Sequence, residues 1–336
     1  MAAKAAALAM GKRMIFGRNK DKEDREVTIT EEDAARPKKV AKRTSFPSLT
    51  TGLRSVLYRA PKYEASDQDA VVIAVCSQKG GVGKTTSSTS IGYELAETQK
   101  KRTLIIDLDP QGHVETSLTT IIRPGQRYRS LSKILRDQHP DISSGLVSTD
   151  SEFLHVTPGD KQLADASIWL DHHRVRKEFI LRDILAPVLP YYDYILLDCP
   201  PYMGNMMLNG LVAAQFCLIP SDMSILSLEG VSDMLNGLEV VKRRVNSGLS
   251  LLGILLTRVD EANVDLNRLI RGRFEDHAEG YLFSARIPYD HALSRAQYAG
   301  NPVAVYEPGS AGAKAYKMVV EELVQRAEAA VNQKRR

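Results

Sequence analysis

The sequence predicts an α/β fold, a doubly wound and mostly parallel sheet carrying a phosphate-binding loop, preceded by an N-terminal extension of different composition. Three observations predict it. Short apolar, β-branched runs alternate with stretches of helical length from residue 71 onward, as strands joined by helical crossovers do. The first run, VVIAV at 71–75, leads at once into a loop holding Gly80, Gly81 and Gly83 and then Lys84, Thr85 and Thr86. Two later runs, in TLIIDLD at 103–109 and YILLD at 194–198, end in carboxylates, and in such a sheet the strand C-termini share the edge where ligands bind.

The charge is unevenly spread. Residues 1–66 hold 15 Lys/Arg against 8 Asp/Glu, whereas 67–336 hold 30 against 33, so the formal net charge of +4 comes from the N-terminal part. Pro37, Pro47 and Pro61 interrupt any helical or strand period there. This predicts a basic, disordered extension over 1–66 with one short helix after Thr30, and an α/β domain over 67–336. The extension reads either as a solubilising tail or as an arm that touches cargo or nucleic acid. It shows no pair of adjacent amphipathic helices, so a helix-turn-helix is not expected.

No apolar run approaches the roughly 18 residues that span a bilayer, and Ala2–Met10 is followed by Lys12 and Arg13 without a signal-peptide core. A cytoplasmic protein with no membrane partner is expected. Cys76, Cys199 and Cys217 fall in or beside core strands without metal-type spacing; they read as small buried hydrophobes in a reducing compartment.

The glycine-rich loop has the composition a phosphate cradle needs. Its glycines let successive N–H groups close around phosphate oxygens, and the helix starting near Gly83 adds the positive end of its dipole. Lys84 can reach the β and γ phosphates as a point charge, and the Thr85 hydroxyl is placed to ligate Mg²⁺. The pattern GxxxxGK[ST] asks for glycine at position 78, where Gln78 stands, so the loop is a variant. KGGVGKTT, residues 79–86, resembles the deviant Walker A loop of the ParA/MinD family of P-loop ATPases. The resemblance implies ATP and Mg²⁺ as cofactors and Lys79, Gly80, Gly81, Val82, Gly83, Lys84, Thr85 and Thr86 as nucleotide-binding residues. It also implies that Lys79, the family's signature lysine, reaches across a homodimer formed on ATP binding.

The next segment, 103–112, ends in Asp107, Asp109, Pro110, Gln111 and Gly112 and resembles the family's DxDPQG motif. That assigns Asp107 to the Mg²⁺ shell and Asp109 to the attacking water, with Lys79, Lys84 and Asp109 as the catalytic set. From Ile121 to Asp150 the chain is polar, with a short helix expected at Leu131–Arg136. A strand at Phe153–Thr157 and a helix around Val175–Leu185 follow. YDYILLDCPP, 192–201, has the Walker B pattern, a buried strand delivering Asp198 to the Mg²⁺ water shell. Beyond it come strands at Phe216–Pro220 and Leu251–Thr257, helices at Leu228–Val245 and Val264–Phe274, the segment Leu282–Pro288, and a C-terminal amphipathic helix at Ala311–Ala330.

LSLEG at 226–230, the Ile287–Pro288 pair and NPVAVYEPGSAGAKAY at 301–316 also resemble the family, so the likeness covers Val71 to Val324. It implies Arg258 and Pro288 as adenine neighbours. Three segments depart from the family pattern: at two DNA-linked arginine positions Tyr289 stands for one and Glu261, Ala262 and Asn263 replace the other, and Arg295, Ala296 and Gln297 replace the usual EAP. Non-specific DNA binding is therefore expected on other residues, with Arg258, Arg268, Arg271, Arg273 and Arg295 as candidates. The arginines from 268 to 273 equally fit a solvated helix face.

The resemblance implies a DNA-partition ATPase, nucleoid-associated, slow alone and stimulated by a ParB-like DNA-binding partner. Alternatives are an ATPase that positions a protein cargo on the same cycle, a MinD-like membrane-associated ATPase, and a non-catalytic binding module. The membrane reading asks for bulky apolar residues in the last helix, and VVEELVQRAEAAVNQKRR has no Trp or Phe. An iron–sulfur electron-transfer protein of this fold needs interface cysteines, and residues 112–198 hold none.

Overall fold

The computed structural model describes residues 66, 68–173, 175–278 and 280–335. The extension read at 1–66, with its short helix, lies outside the described residues apart from Ser66.

The strands are β1 (Val71–Val75), β2 (Thr103–Asp107), β3 (Val147–Ser148), β4 (Leu154–Thr157), β5 (Tyr194–Asp198), β6 (Phe216–Asp222) and β7 (Ser250–Thr257). Between and after them lie α1 (Lys84–Glu97), α2 (His113–Ser117), α3 (Leu131–Arg136), α4 (Leu163–His173), α5 (Ile180–Leu185), α6 (Asn205–Ala213), α7 (Ile225–Arg244), α8 (Val264–His277), α9 (His291–Tyr298), α10 (Val303–Tyr306) and α11 (Ala311–Arg335). The sheet order is β3-β4-β2-β5-β1-β6-β7. Every neighbouring pair is parallel except β3 with β4.

The central strands carry apolar residues on both faces because both faces are covered. Ile73, Val75, Ile105 and Leu196 pack with Ile91 and Leu95 of α1 and with Val319 and Leu323 of α11. Val72, Ala74, Ile106 and Leu197 point the other way and pack with Met206 and Leu211 of α6 and with Val231 and Met234 of α7. Since β1 lies between β5 and β6, the loop after β1 and the ends of β2 and β5 meet at the centre of the sheet's C-terminal edge.

The structure corrects several expected elements. The helix expected at Val175–Leu185 is broken: Arg176 sits at φ 61°, Val175 is 95% exposed, and only Ile180–Leu185 is α-helical after a 3₁₀ turn at Lys177–Phe179. A left-handed residue cannot continue a right-handed helix. Helix α7 begins at Ile225, three residues earlier than expected, because the Ser224 side chain caps it by accepting from the Ser227 N–H. Helices α2, α4, α6, α9 and α10 and the two-residue edge strand β3 are additions. The segment Leu282–Pro288 touches the sheet through isolated bridges, Ile254 to Leu282 and Val259 to Pro288.

The apolar stripe of α11, including Tyr316, Val319, Val320, Leu323 and Ala327, is buried in the core. Among the described residues no helix is long and apolar enough to cross a membrane. Cys76, Cys199 and Cys217 are free thiols, all buried.

Candidate nucleotide site

The loop after β1 turns into α1 through Gly83, whose φ of 84° and ψ of 27° no residue with a Cβ adopts without strain. No side chain caps α1, so the N–H groups of its first turn are left for a ligand. They border a cavity of about 430 Å³ lined by Gly80, Gly81, Gly83, Lys84, Thr85 and Thr86 on one side. Asp109, Pro201 and Arg258 and the segment Ile287–Asp290 line it on the others.

Behind the cavity stand two carboxylates. Asp198 accepts from Thr85 Oγ1 at 2.7 Å and from Ser88 Oγ at 2.9 Å. Burial pushes it up to about 6 against those two hydrogen bonds and the charge of Lys84. Asp107 is its register partner on β2 and accepts from the N–H groups of Asp109 (2.9 Å) and Val114 (3.0 Å). Burial first, and then the charge of Asp198, raise it well above the usual carboxylate range. The Asp109 side chain faces the cavity and accepts from the Gln111 N–H at 3.0 Å. Its turn is buttressed by Gly159, where a Cβ would come 2.7 Å from the Asp109 carbonyl oxygen and 2.9 Å from Asp107 Cγ.

Lys84 is 7% exposed, and its Nζ donates to the Lys79 carbonyl at 3.0 Å. Burial pushes its ammonium down, opposed by Asp198 and Asp109. Thr257 Oγ1 donates to the Val82 carbonyl at 2.9 Å and Arg258 Nη1 to the Gly81 carbonyl at 3.0 Å. The end of β7 thus holds the loop from outside.

A family model described as an AAA domain matches residues 70–251. The chain is also 35% identical over 258 residues to the chromosome partitioning protein ParA of Myxococcus xanthus, covering 76% of this chain and 88% of that relative. The chain belongs to the ParA/MinD family of P-loop ATPases.

The sporulation initiation inhibitor protein Soj of Bacillus subtilis is 35% identical over 252 residues, 75% of this chain and 97% of the relative. Among solved structures, cobyrinic acid a,c-diamide synthase from Mycobacterium smegmatis with bound ADP and magnesium superposes with a TM-score of 0.65 at 32% identity. That likeness covers 77% of this chain and 96% of the other.

The ParA/MinD likeness implies that Lys79 points toward a partner. In this chain its Nζ lies on Asp222, 2.9 Å from Oδ2, outside the residues that line the cavity. The Val82 side chain is buried and also lies outside the lining. Pro288 lines the cavity. Arg258, at φ 53°, is drawn into that cavity and away from the other arginines suggested for DNA. Of these, Arg268 lies 3.8 Å from Asp265, Arg271 2.8 Å from Glu275 and Arg295 2.9 Å from Glu307. Arg273 is exposed on α8 with Arg268. Arg268, Arg271 and Arg295 therefore each face a carboxylate of their own chain, which lowers their local positive potential.

Sequence reasoning missed Ser88, Gly159, Asp222 and Thr257. Ser88 was within reach, since it falls three residues after Thr85 on the same helix face. Asp222 ends an apolar strand as Asp107 and Asp198 do, but Pro220 suggested an earlier stop. Nothing local marks Gly159, whose role arises from contact with a strand end some 50 residues earlier.

Proposed function

We propose that this ParA/MinD-family ATPase partitions DNA. The reading rests on one observation above others: Lys84, Thr85 and Asp109 line a single cavity at the strand C-terminal edge, with Asp198 and Asp107 directly behind it. The names of the relatives, chromosome partitioning protein ParA and Soj, supply the cargo class.

In this reading the phosphates of ATP lie on the 79–86 loop, with Lys84 leaving the Lys79 carbonyl to meet them and Arg258 and Pro288 beside the base. The donor set suits Mg²⁺: a hydroxyl and two adjacent carboxylates that burial, and after it neighbouring carboxylate charge, raises above the ordinary range. Thr85, Asp198 and Asp107 would hold the ion, directly or through its waters, and when bound it neutralises charge on the phosphate oxygens. Asp109 orients the attacking water. ATP closes two copies face to face, with each Lys79 in the other's site; the closed pair binds DNA of any sequence on the nucleoid in the cytoplasm. A ParB-like DNA-binding partner speeds the slow hydrolysis and releases it. The basic residues of 1–66 and the exposed Arg268 and Arg273 are the proposed DNA contacts, since the Arg268–Asp265 pair at 3.8 Å is longer and more open than those of Arg271 and Arg295.

The test is binding to a long duplex of unrelated sequence at fixed salt, without nucleotide, with ADP and with ATP, for the native protein and for Lys84→Ala and Asp109→Ala. ATP should confer binding, Lys84→Ala should abolish it and Asp109→Ala should prolong it. Equal binding without nucleotide and in Lys84→Ala overturns the DNA cycle, and binding in no state moves the cargo to a protein scaffold.

A further inference from the structure

Strand β6 ends in Asp222, and Ser224 caps the helix that follows. One carboxylate and the hydroxyls of Ser224 and Ser227 therefore crowd the junction, both hydroxyls bonding to Asp222. Lys79 inserts its ammonium there. Nζ donates to Asp222 Oδ1 (3.1 Å) and Oδ2 (2.9 Å), to Ser224 Oγ (3.1 Å) and to Ser227 Oγ (2.9 Å). An ammonium has three hydrogens, so this pocket satisfies it completely. The side chains of Lys79 and Asp222 are 32% and 20% exposed, which makes the contact a partly desolvated one and stronger than a surface pair. Burial works against the Asp222 carboxylate, but hydrogen bonds from Ser227, Lys79 and Ser224 together with the Lys79 charge outweigh it and hold the group below its ordinary value. The main chain of the same lysine is engaged as well, its carbonyl taken by Lys84 Nζ at 3.0 Å.

We infer that Asp222, with Ser224 and Ser227, is a positioning site that holds Lys79 on its own chain, and that the hold sets the protein concentration at which ATP-bound copies pair. The inference rests on the reading that Lys79 acts across the pair. One ammonium cannot serve Asp222 and a partner's phosphates at once, so each lysine must be withdrawn before it crosses. Two are withdrawn per pair, and a competent fraction enters the apparent pairing constant once for each copy. A hold of only threefold per chain thus becomes roughly tenfold in the pairing constant.

The experiment is sedimentation velocity over a series of protein concentrations with Mg²⁺ and a non-hydrolysable ATP analogue, on the full chain and on Asp222→Asn, Asp222→Glu, Ser227→Ala and Lys79→Ala. Affinity of the single chain for a fluorescent ATP analogue is measured alongside. Asp222→Asn should halve-saturate pairing at a roughly tenfold lower concentration, with nucleotide affinity within about twofold of the native value. Ser227→Ala should shift pairing the same way by less, and Asp222→Glu should stay near the native protein, a graded order that general loosening of the fold would not produce. An unchanged or raised pairing concentration in both Asp222→Asn and Ser227→Ala overturns the hold alone. Pairing of Lys79→Ala at the native concentration overturns the reading of Lys79 across the pair, and the hold with it.

Discussion

Asp107 and Asp198 end adjacent strands as register partners, and both are wholly buried, at 0% and 1% exposure. Two carboxylates so placed repel one another in a low-dielectric setting, an arrangement that a divalent cation relieves and folding alone does not. Replacing Asp198 by Asn keeps acceptors and donors for the rotatable hydroxyls of Thr85 and Ser88 while removing one charge. Near neutral pH, without nucleotide or Mg²⁺, Asp198→Asn should be more stable than the native chain by about 1–2 kcal/mol in chemical denaturation. It should lose ATP turnover by at least roughly 100-fold. A less stable Asn variant would show that the pair is not strained.

The edge of the sheet opposite the site is tied by a different carboxylate. Asp193 accepts from the Arg102 backbone N–H at 2.7 Å and from its guanidinium Nη2 at 3.0 Å, joining the starts of β2 and β5. Burial pushes the Asp193 carboxyl up, but the hydrogen bonds and charge of Arg102 outweigh it and leave it below its ordinary value. A depressed carboxyl stabilises the fold at pH above its unfolded value, and that contribution disappears as pH falls through the folded one. Native protein should exceed Asp193→Asn by about 1 kcal/mol near neutral pH, allowing for partial exposure. The gap between their thermal midpoints should close below about pH 4; a gap that widened in acid would contradict the assignment.

Gly159 lets the strand end carrying Asp107 and Asp109 approach another loop. Both obstacles to a Cβ there include main-chain or buried carboxylate atoms, which cannot swing aside. Gly159→Ala should cost about 1–3 kcal/mol in denaturant unfolding and reduce turnover more than nucleotide affinity, since it displaces Asp109 rather than the loop.

Arg258 reaches the Gly81 carbonyl from a left-handed backbone. Arg258→Ala should weaken ATP binding by roughly 3- to 10-fold, the worth of one solvent-exposed hydrogen bond, measured by equilibrium titration. Arg258→Gly would relieve the backbone conformation without restoring the contact, so it should be the more stable of the two and bind no better.

Much of the site was legible because its parts are local in sequence. KGGVGKTT specifies its own loop and helix start, and β1, β2 and β5 are recognised by apolar runs ending at carboxylates. Helix α4 was not legible because its narrow buried face, Leu163, Ala166 and Leu170, is blurred in the sequence by the apolar but 60% exposed Ile168 beside it. Helix α6 was hidden because NMMLNGLVA is apolar almost throughout and carries no side-chain cap, leaving no period to read.

The sequence by itself determined the parallel sheet, the phosphate loop and the carboxylates at the strand ends, since each depends on neighbours a few residues apart. Only the tertiary structure decided that Lys79 rests on Asp222, 143 positions away, that Arg258 turns inward to the loop, and that Gly159 supports the Asp107–Asp109 turn. The order of the strands brings these residues together, and hydrogen-bond geometry and close packing between distant segments leave no local signature in the chain.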